Sequence, residues 1–106
     1  MKLQDELFDV IVVGGGASGM MAAGVAAEKA KREGRTAKVL ILEKNKKLGE
    51  KLRISGGGRC NITNAEYDTH KLLAHYGNAA NFLHSPYAQF GVKDTFTFFE
   101  SRGLPL

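Results

Sequence analysis

The 106-residue sequence has no tryptophan, one cysteine, two prolines and three histidines. The lone thiol, Cys60, cannot close an intramolecular disulfide. With no second cysteine and no histidine at ligand spacing, a structural zinc site has no support either. A reducing, cytoplasmic setting follows as the expectation. His70, His75 and His84 stand five and nine residues apart among apolar and aromatic positions, a spacing that suits neither a metal pair nor a general base. A long hydrophobic run is also missing. Residues 10–27 have only Ser18 as a clearly polar side chain, but five of the eighteen are glycine, five are alanine and none is Leu or Phe. Asp5, Glu6 and Asp9 precede this run where a secretory leader would carry positive charge, so neither a leader nor a membrane span is expected.

Hydrophobic residues make up 43% and charged residues 25%, a composition that excludes disordered and fibrous classes and leaves one domain-sized globular unit. The formal charge of +4 is unevenly spread. Residues 29–59 carry eleven Lys or Arg against Glu33, Glu43 and Glu50, so this stretch attracts anions. No aromatic residue is interleaved with these bases and no nucleic-acid-binding motif is present, so nucleic acid is not an expected partner.

Ten of the thirteen glycines fall within residues 14–58. The first cluster ends the β-branched run Phe8-Asp9-Val10-Ile11-Val12-Val13, which reads as a strand covered on both faces. Residues 17–33 are good helix formers, with Gly34 placed to end the helix and a stripe of Gly19, Ala23, Ala26 and Ala30 that would let its axis approach a sheet closely. Lys38-Val39-Leu40-Ile41-Leu42-Glu43 reads as a second buried strand. A strand, helix, strand order makes the two strands parallel neighbours in an α/β fold. A helical turn near residues 49–53, a glycine-rich loop and helices at about 69–76, 79–88 and 92–101 complete the reading, with eight of the nine aromatic residues from Tyr67 onward.

Gly14-Gly15-Gly16-Ala17-Ser18-Gly19 satisfies G-x-G-x-x-G, a weak pattern alone. Here it follows a strand, opens a helix and is answered by Glu43 at the end of the second strand, which together are the conditions for a dinucleotide site. Gly14 permits the tight turn, Gly16 lets backbone approach a pyrophosphate, and Gly19 lets the helix pack on the strand. The helix N-terminus adds unpaired N–H groups and roughly half a positive charge. The Glu43 carboxylate suits ribose hydroxyls and would repel a 2′-phosphate. The fold class expected is therefore the N-terminal βαβ unit of a Rossmann-like FAD/NAD(P)-binding fold, followed by a glycine-rich loop and about three helices, with an incomplete sheet. Two strands do not make an independently stable sheet, so the chain reads as the N-terminal part of a longer polypeptide, whose remainder would be its partner.

Ser55-Gly56-Gly57-Gly58-Arg59-Cys60-Asn61-Ile62-Thr63-Asn64 is the second constellation. Three successive glycines fit a loop whose backbone approaches something closely. Arg59 could pair with a phosphate, and Asn61, Thr63 and Asn64 supply hydrogen-bonding groups; Cys60 reads as a small packing residue.

These blocks, together with Leu42-Glu43-Lys44-Asn45 and Lys51-Leu52, resemble the BaiN/YhiN-like NAD(P)/FAD-dependent oxidoreductases, which include 3-dehydro-bile-acid delta-reductases and aminoacetone oxidase family flavoproteins. The S-G-G-G-R-C-N-x-T-N run is the specific part, and the likeness covers essentially the whole chain. The resemblance implies an FAD-dependent oxidoreductase, with NAD(P)H as electron donor and a small-molecule substrate. It carries cofactor binding onto Gly14, Gly16, Ala17, Ser18, Gly19, Glu43, Lys44, Lys51, Gly57, Gly58, Arg59, Cys60, Asn61 and Thr63. Glu50 and Arg53 depart from the basic and aliphatic residues expected at those positions. No catalytic residue, metal ligand or membrane contact is implied. The expected organisation is residues 1–64 as the βαβ unit with its glycine loop and 65–106 as an aromatic-rich helical segment. Two other readings stay open on the residues alone: an NAD-linked dehydrogenase part, and a basic module binding nucleic acid or acidic partners without enzymatic activity.

Overall fold

The computed structural model describes residues 6–106, which divide into two compact units between Cys60 and Asn61. The division falls four residues before the boundary expected from composition, so Asn61 and Thr63 belong with the helical unit. Asp5 lies outside the described residues.

In the first unit, β1 (Val10–Val13) and β2 (Val39–Leu42) form a parallel pair in the register Val10 with Val39 through Val13 with Leu42. The strands are shorter than the apolar runs at 8–13 and 38–43, although pairing continues just before them. There the Asp9 N–H donates to the Lys38 carbonyl at 2.9 Å, and Asp9 Oδ2 accepts the Lys38 N–H at 2.8 Å. Between them runs α1 (Ala17–Arg32), ended by Gly34 at φ +70°, a conformation that costs a residue with a Cβ about 1–2 kcal/mol. The small-residue stripe faces inward as expected: Ala23 and Ala30 are buried. Lys29, Lys31 and Arg32 in the last turn complement the negative end of the helix dipole.

Within the first unit the side chains of β1 alternate, with Val10 and Val12 half-buried while Ile11 is 54% and Val13 83% exposed. The single crossover helix covers one face of the strand pair, as an incomplete sheet implies, and the apolar residues of the other face are those the longer polypeptide is expected to cover.

After β2 the chain forms α2 (Glu50–Ile54) and a tight 3₁₀-like turn over Ser55–Gly58. Gly56, Gly57 and Gly58 have φ of +63°, +61° and +86°, all left-handed, which only glycine adopts three times in succession at little strain. The glycine run is thus a turn with a defined conformation.

The second unit contains α3 (Thr69–Ala74), a 3₁₀ turn at Gly77–Ala79, α4 (Ala80–Gln89) and α5 (Val92–Glu100). Asp68 caps α3 by accepting the His70 and Lys71 N–H groups at 3.0 and 3.2 Å, and Asp94 reaches back to the Gly91 N–H at 2.8 Å to cap α5. Leu72, Leu73 and Val92 are buried, and Leu73→Ala would cost about 2–5 kcal/mol. The aromatics pack in pairs, Tyr67 with Phe96 and Phe98 with both Phe90 and Phe99, while the Arg102 guanidinium lies 3.7 Å over the Phe98 ring. His70 and His84 are ring neighbours at 5.5 Å, and among the described residues no group of three metal-ligating side chains occurs.

Candidate dinucleotide site

The carboxyl end of β1 leads into a turn set by Gly14, whose φ of +100° is closed to side chains and whose N–H donates to the Leu42 carbonyl at 2.7 Å. Gly19 is required for packing: a Cβ there would overlap the Gly14 carbonyl and crowd Val12 Cγ1. Gly16 is different. It sits in extended backbone at φ −82°, and a Cβ on it would meet nothing within 4 Å. Neither backbone strain nor protein packing requires glycine at Gly16, whereas a ligand approaching the backbone there would. Gly16 is also the N-cap of α1, with no side-chain cap and no acidic residue in the first turn, so the first N–H groups of the helix carry no side-chain partner from α1 itself.

Glu43 closes the other side. Its Oε2 accepts the Gly15 N–H at 2.8 Å and its Oε1 accepts the Asn45 N–H at 2.9 Å. These two backbone bonds, Asn45 first, hold its carboxyl below the ordinary carboxylate range, against a smaller opposing effect of burial. The group is a fixed anion. Each oxygen keeps a lone pair beyond the one engaged by backbone, so both can still accept from hydroxyl groups.

Between turn and carboxylate lies a cavity of about 710 Å³, within the range of ligand pockets. It gathers Gly14, Gly16, Ala17, Ser18, Glu43, Lys44 and Lys51 from the residues expected in the site, joined by Glu50 and Ser55. Gly19 supports the turn from behind. Gly57, Gly58, Arg59 and Cys60 belong to the same unit but do not line this cavity, and Asn61 and Thr63 lie in the other unit. Cys60 is half-buried and forms no disulfide.

Sequence reasoning missed Gly15 and Asn45. The motif leaves the second position open, yet a Cβ at Gly15 would displace the end of the half-exposed Leu48 side chain and crowd Glu43 Oε2 at 3.0 Å, so a side chain there would disturb the contact with Glu43. The run of three glycines was the available signal. Asn45 acts through its backbone N–H, for which residue type carries no information.

A glycine turn after a parallel strand, an open helix N-terminus and an acidic residue at the end of the adjacent strand define a Rossmann-like nucleotide-binding unit. Residues 8–106 match the HI0933-like protein Rossmann domain, and the chain belongs to that family. It is 40% identical over 93 residues to a 3-dehydro-bile acid delta(4,6)-reductase of Clostridium scindens, covering 88% of this chain and 21% of that protein. It is 44% identical over 59 residues to a ribosomal RNA dihydrouridine synthase of Escherichia coli, covering 56% of this chain and 13% of that protein. It is 32% identical over 95 residues to a ribosomal RNA dihydrouridine synthase of Haemophilus influenzae, covering 89% of this chain and 21% of that protein. The chain thus spans about a fifth or less of the length of these relatives. No solved structure matches it significantly.

Proposed function

We propose that this chain is the FAD-binding part of a flavin-dependent oxidoreductase that takes electrons from NAD(P)H and reduces a carbon–carbon double bond conjugated to a carbonyl group. The observation that carries the proposal is the single cavity in which Gly16, the open N-terminus of α1 and the Glu43 carboxylate face one another. The backbone N–H groups at the start of α1 would hold the pyrophosphate, and Glu43 would accept from the ribose hydroxyls. Lys44 and Lys51, both exposed at the cavity, would offset the phosphate charge. Bound flavin supplies the hydride chemistry, and the chain supplies binding and orientation. Glu43 favours FAD over a 2′-phosphorylated nucleotide in this cavity, so NADPH as donor would need another site.

The substrate chemistry follows from what the relatives' names share: a delta(4,6)-reductase and a dihydrouridine synthase both saturate such a double bond. A small 3-oxo-diene is the first reading, and a uracil base in folded RNA is the second. The second rests on the basic run alone: Lys44, Lys46, Lys47, Lys51, Arg53 and Arg59 are all exposed in the unit that carries the cavity, with no aromatic residue among them to stack on bases. The open edge of β1 in a two-stranded sheet supports a further strand of the same polypeptide beside it, the exposed Ile11 and Val13 side chains support an element packed over that face, and the lone cysteine supports a cytoplasmic setting. Among the described residues no helix is long and apolar enough to cross a membrane.

The test is to purify the full polypeptide, measure FAD content and affinity, and follow flavin bleaching by NADH and by NADPH. The reduced enzyme is then offered a 3-oxo-4,6-diene steroid or ribosomal RNA, and flavin reoxidation without oxygen is recorded. Absence of bound FAD sinks the cofactor assignment, and reoxidation by neither compound sinks the substrate class.

A further inference from the structure

Gly15 is held from both sides by the segment that joins β2 to α2. Its N–H donates to Glu43 Oε2 at 2.8 Å, and its carbonyl accepts the Gly49 N–H at 2.7 Å. Leu48 Cδ2 occupies the space that a Cβ on Gly15 would take. Gly49 is buried at φ +66° with the Met20 methyl 3.2 Å from where its own Cβ would be, so that segment is itself fixed against α1. Neither Leu48 nor Gly49 lines the cavity.

We infer that Leu48 and Gly49 are positioning residues of the dinucleotide site, clamping Gly15 so that the Gly16 N–H and the Glu43 carboxylate take up the arrangement that pyrophosphate and ribose require. The peptide geometry gives the reason. All peptide bonds described are trans, and in a trans peptide the N–H points opposite to the carbonyl, so tying the Gly15 carbonyl to Gly49 turns the Gly16 N–H away from that segment. The same residue's N–H fixes Glu43, so the anchor for phosphate and the anchor for ribose share one support. A support left loose must be ordered again when the ligand binds, which lowers affinity. This inference rests on the FAD reading of the cavity, but its structural half is independent of any ligand.

The full polypeptide is tested as parent, Leu48→Ala, Gly15→Ala and the double variant. Leu48→Ala is expected to speed hydrogen exchange at the Gly15 amide in the unliganded protein and to weaken FAD and ADP by about tenfold while weakening adenosine less. Gly15→Ala is expected to lose FAD more severely, and Leu48→Ala in its background to restore part of the loss by making room for the new methyl. Unchanged Gly15 exchange in Leu48→Ala overturns the clamp whether or not FAD binds. Loss of thermal stability with the ADP-to-adenosine affinity ratio intact, or a double variant no better than Gly15→Ala, likewise overturns it. A parent that shows the exchange effect but binds neither FAD nor ADP overturns the FAD reading and leaves the clamp standing as a structural device only.

Discussion

Gly15 and Glu43, 28 residues apart in sequence, are joined by a 2.8 Å hydrogen bond from the backbone N–H of the glycine turn to the carboxylate at the end of β2. The bond ties two elements of the candidate site to each other. Charge chemistry at Glu43 and backbone geometry at the turn therefore respond together.

Replacing Glu43 with Gln keeps the shape and removes the charge. FAD affinity of the full polypeptide is expected to fall by about tenfold, because hydrogen bonds to an ionised acceptor are roughly twice as strong as neutral ones. Equal affinity in titration calorimetry would show that the ribose does not meet this carboxylate.

The depressed Glu43 carboxyl sets a pH dependence of known sign. A group whose folded-state pKa lies below its unfolded value contributes stability above the unfolded value and loses it as pH falls through the folded one. The parent should therefore be more stable than Glu43→Gln at neutral pH, and the gap should close on acidification below the ordinary carboxylate range. Thermal melts of both proteins across the acid range check this. A gap that widens toward acid would reverse the assignment.

Gly16 and Gly19 should separate binding from folding. Gly16→Val meets open space in an extended backbone and forfeits only the N-cap preference for glycine, about 1 kcal/mol, so the melting temperature should fall little while FAD retention is lost. Gly19→Val drives a branched side chain into the Gly14 carbonyl, and overpacking of this kind costs about 1–3 kcal/mol or more. Equal loss of stability in the two variants would refute the division of roles.

Cys60 lies outside the cavity lining, has no thiol partner in the sequence and forms no disulfide. Cys60→Ser in the full polypeptide is expected to keep most of the turnover. A fall of about three orders of magnitude with flavin still bound would place the chemistry at this thiol.

The 106 residues made alone should self-associate, because Val13 at 83% and Ile11 at 54% exposure lie on a strand of a two-stranded sheet with open edges. Light scattering should show oligomers, and Val13→Lys should shift them toward monomer. A monomeric parent with a sharp transition raised by stoichiometric FAD would mean the sheet needs no further cover.

Most of the fold was legible. The strand, helix, strand order, the helices near 69, 80 and 92, and the inward stripe of Ala23 and Ala30 follow from local periodicity, which is written in residue types at fixed spacing. What covers the second face of β1 was not legible, because an uninterrupted apolar run looks the same whatever packs on it. Glycines at Gly14 and Gly19 were legible from the motif.

The sequence by itself determined the elements, their order and the residue types able to serve a dinucleotide, since turns, helix faces and charged strand ends are local properties. Only the tertiary structure decided that Gly15 meets Glu43, that Leu48 and Gly49 hold it, and that Lys51 reaches the cavity while Gly57, Gly58, Arg59 and Cys60 do not line it. The physical reason is that Gly15 takes part through its N–H, its carbonyl and the side-chain atom it lacks, none of which its place in the motif marks. Its partners Glu43, Leu48 and Gly49 lie about thirty residues away in sequence, beyond the reach of any local pattern, and only the pairing of β1 with β2 brings the two segments together.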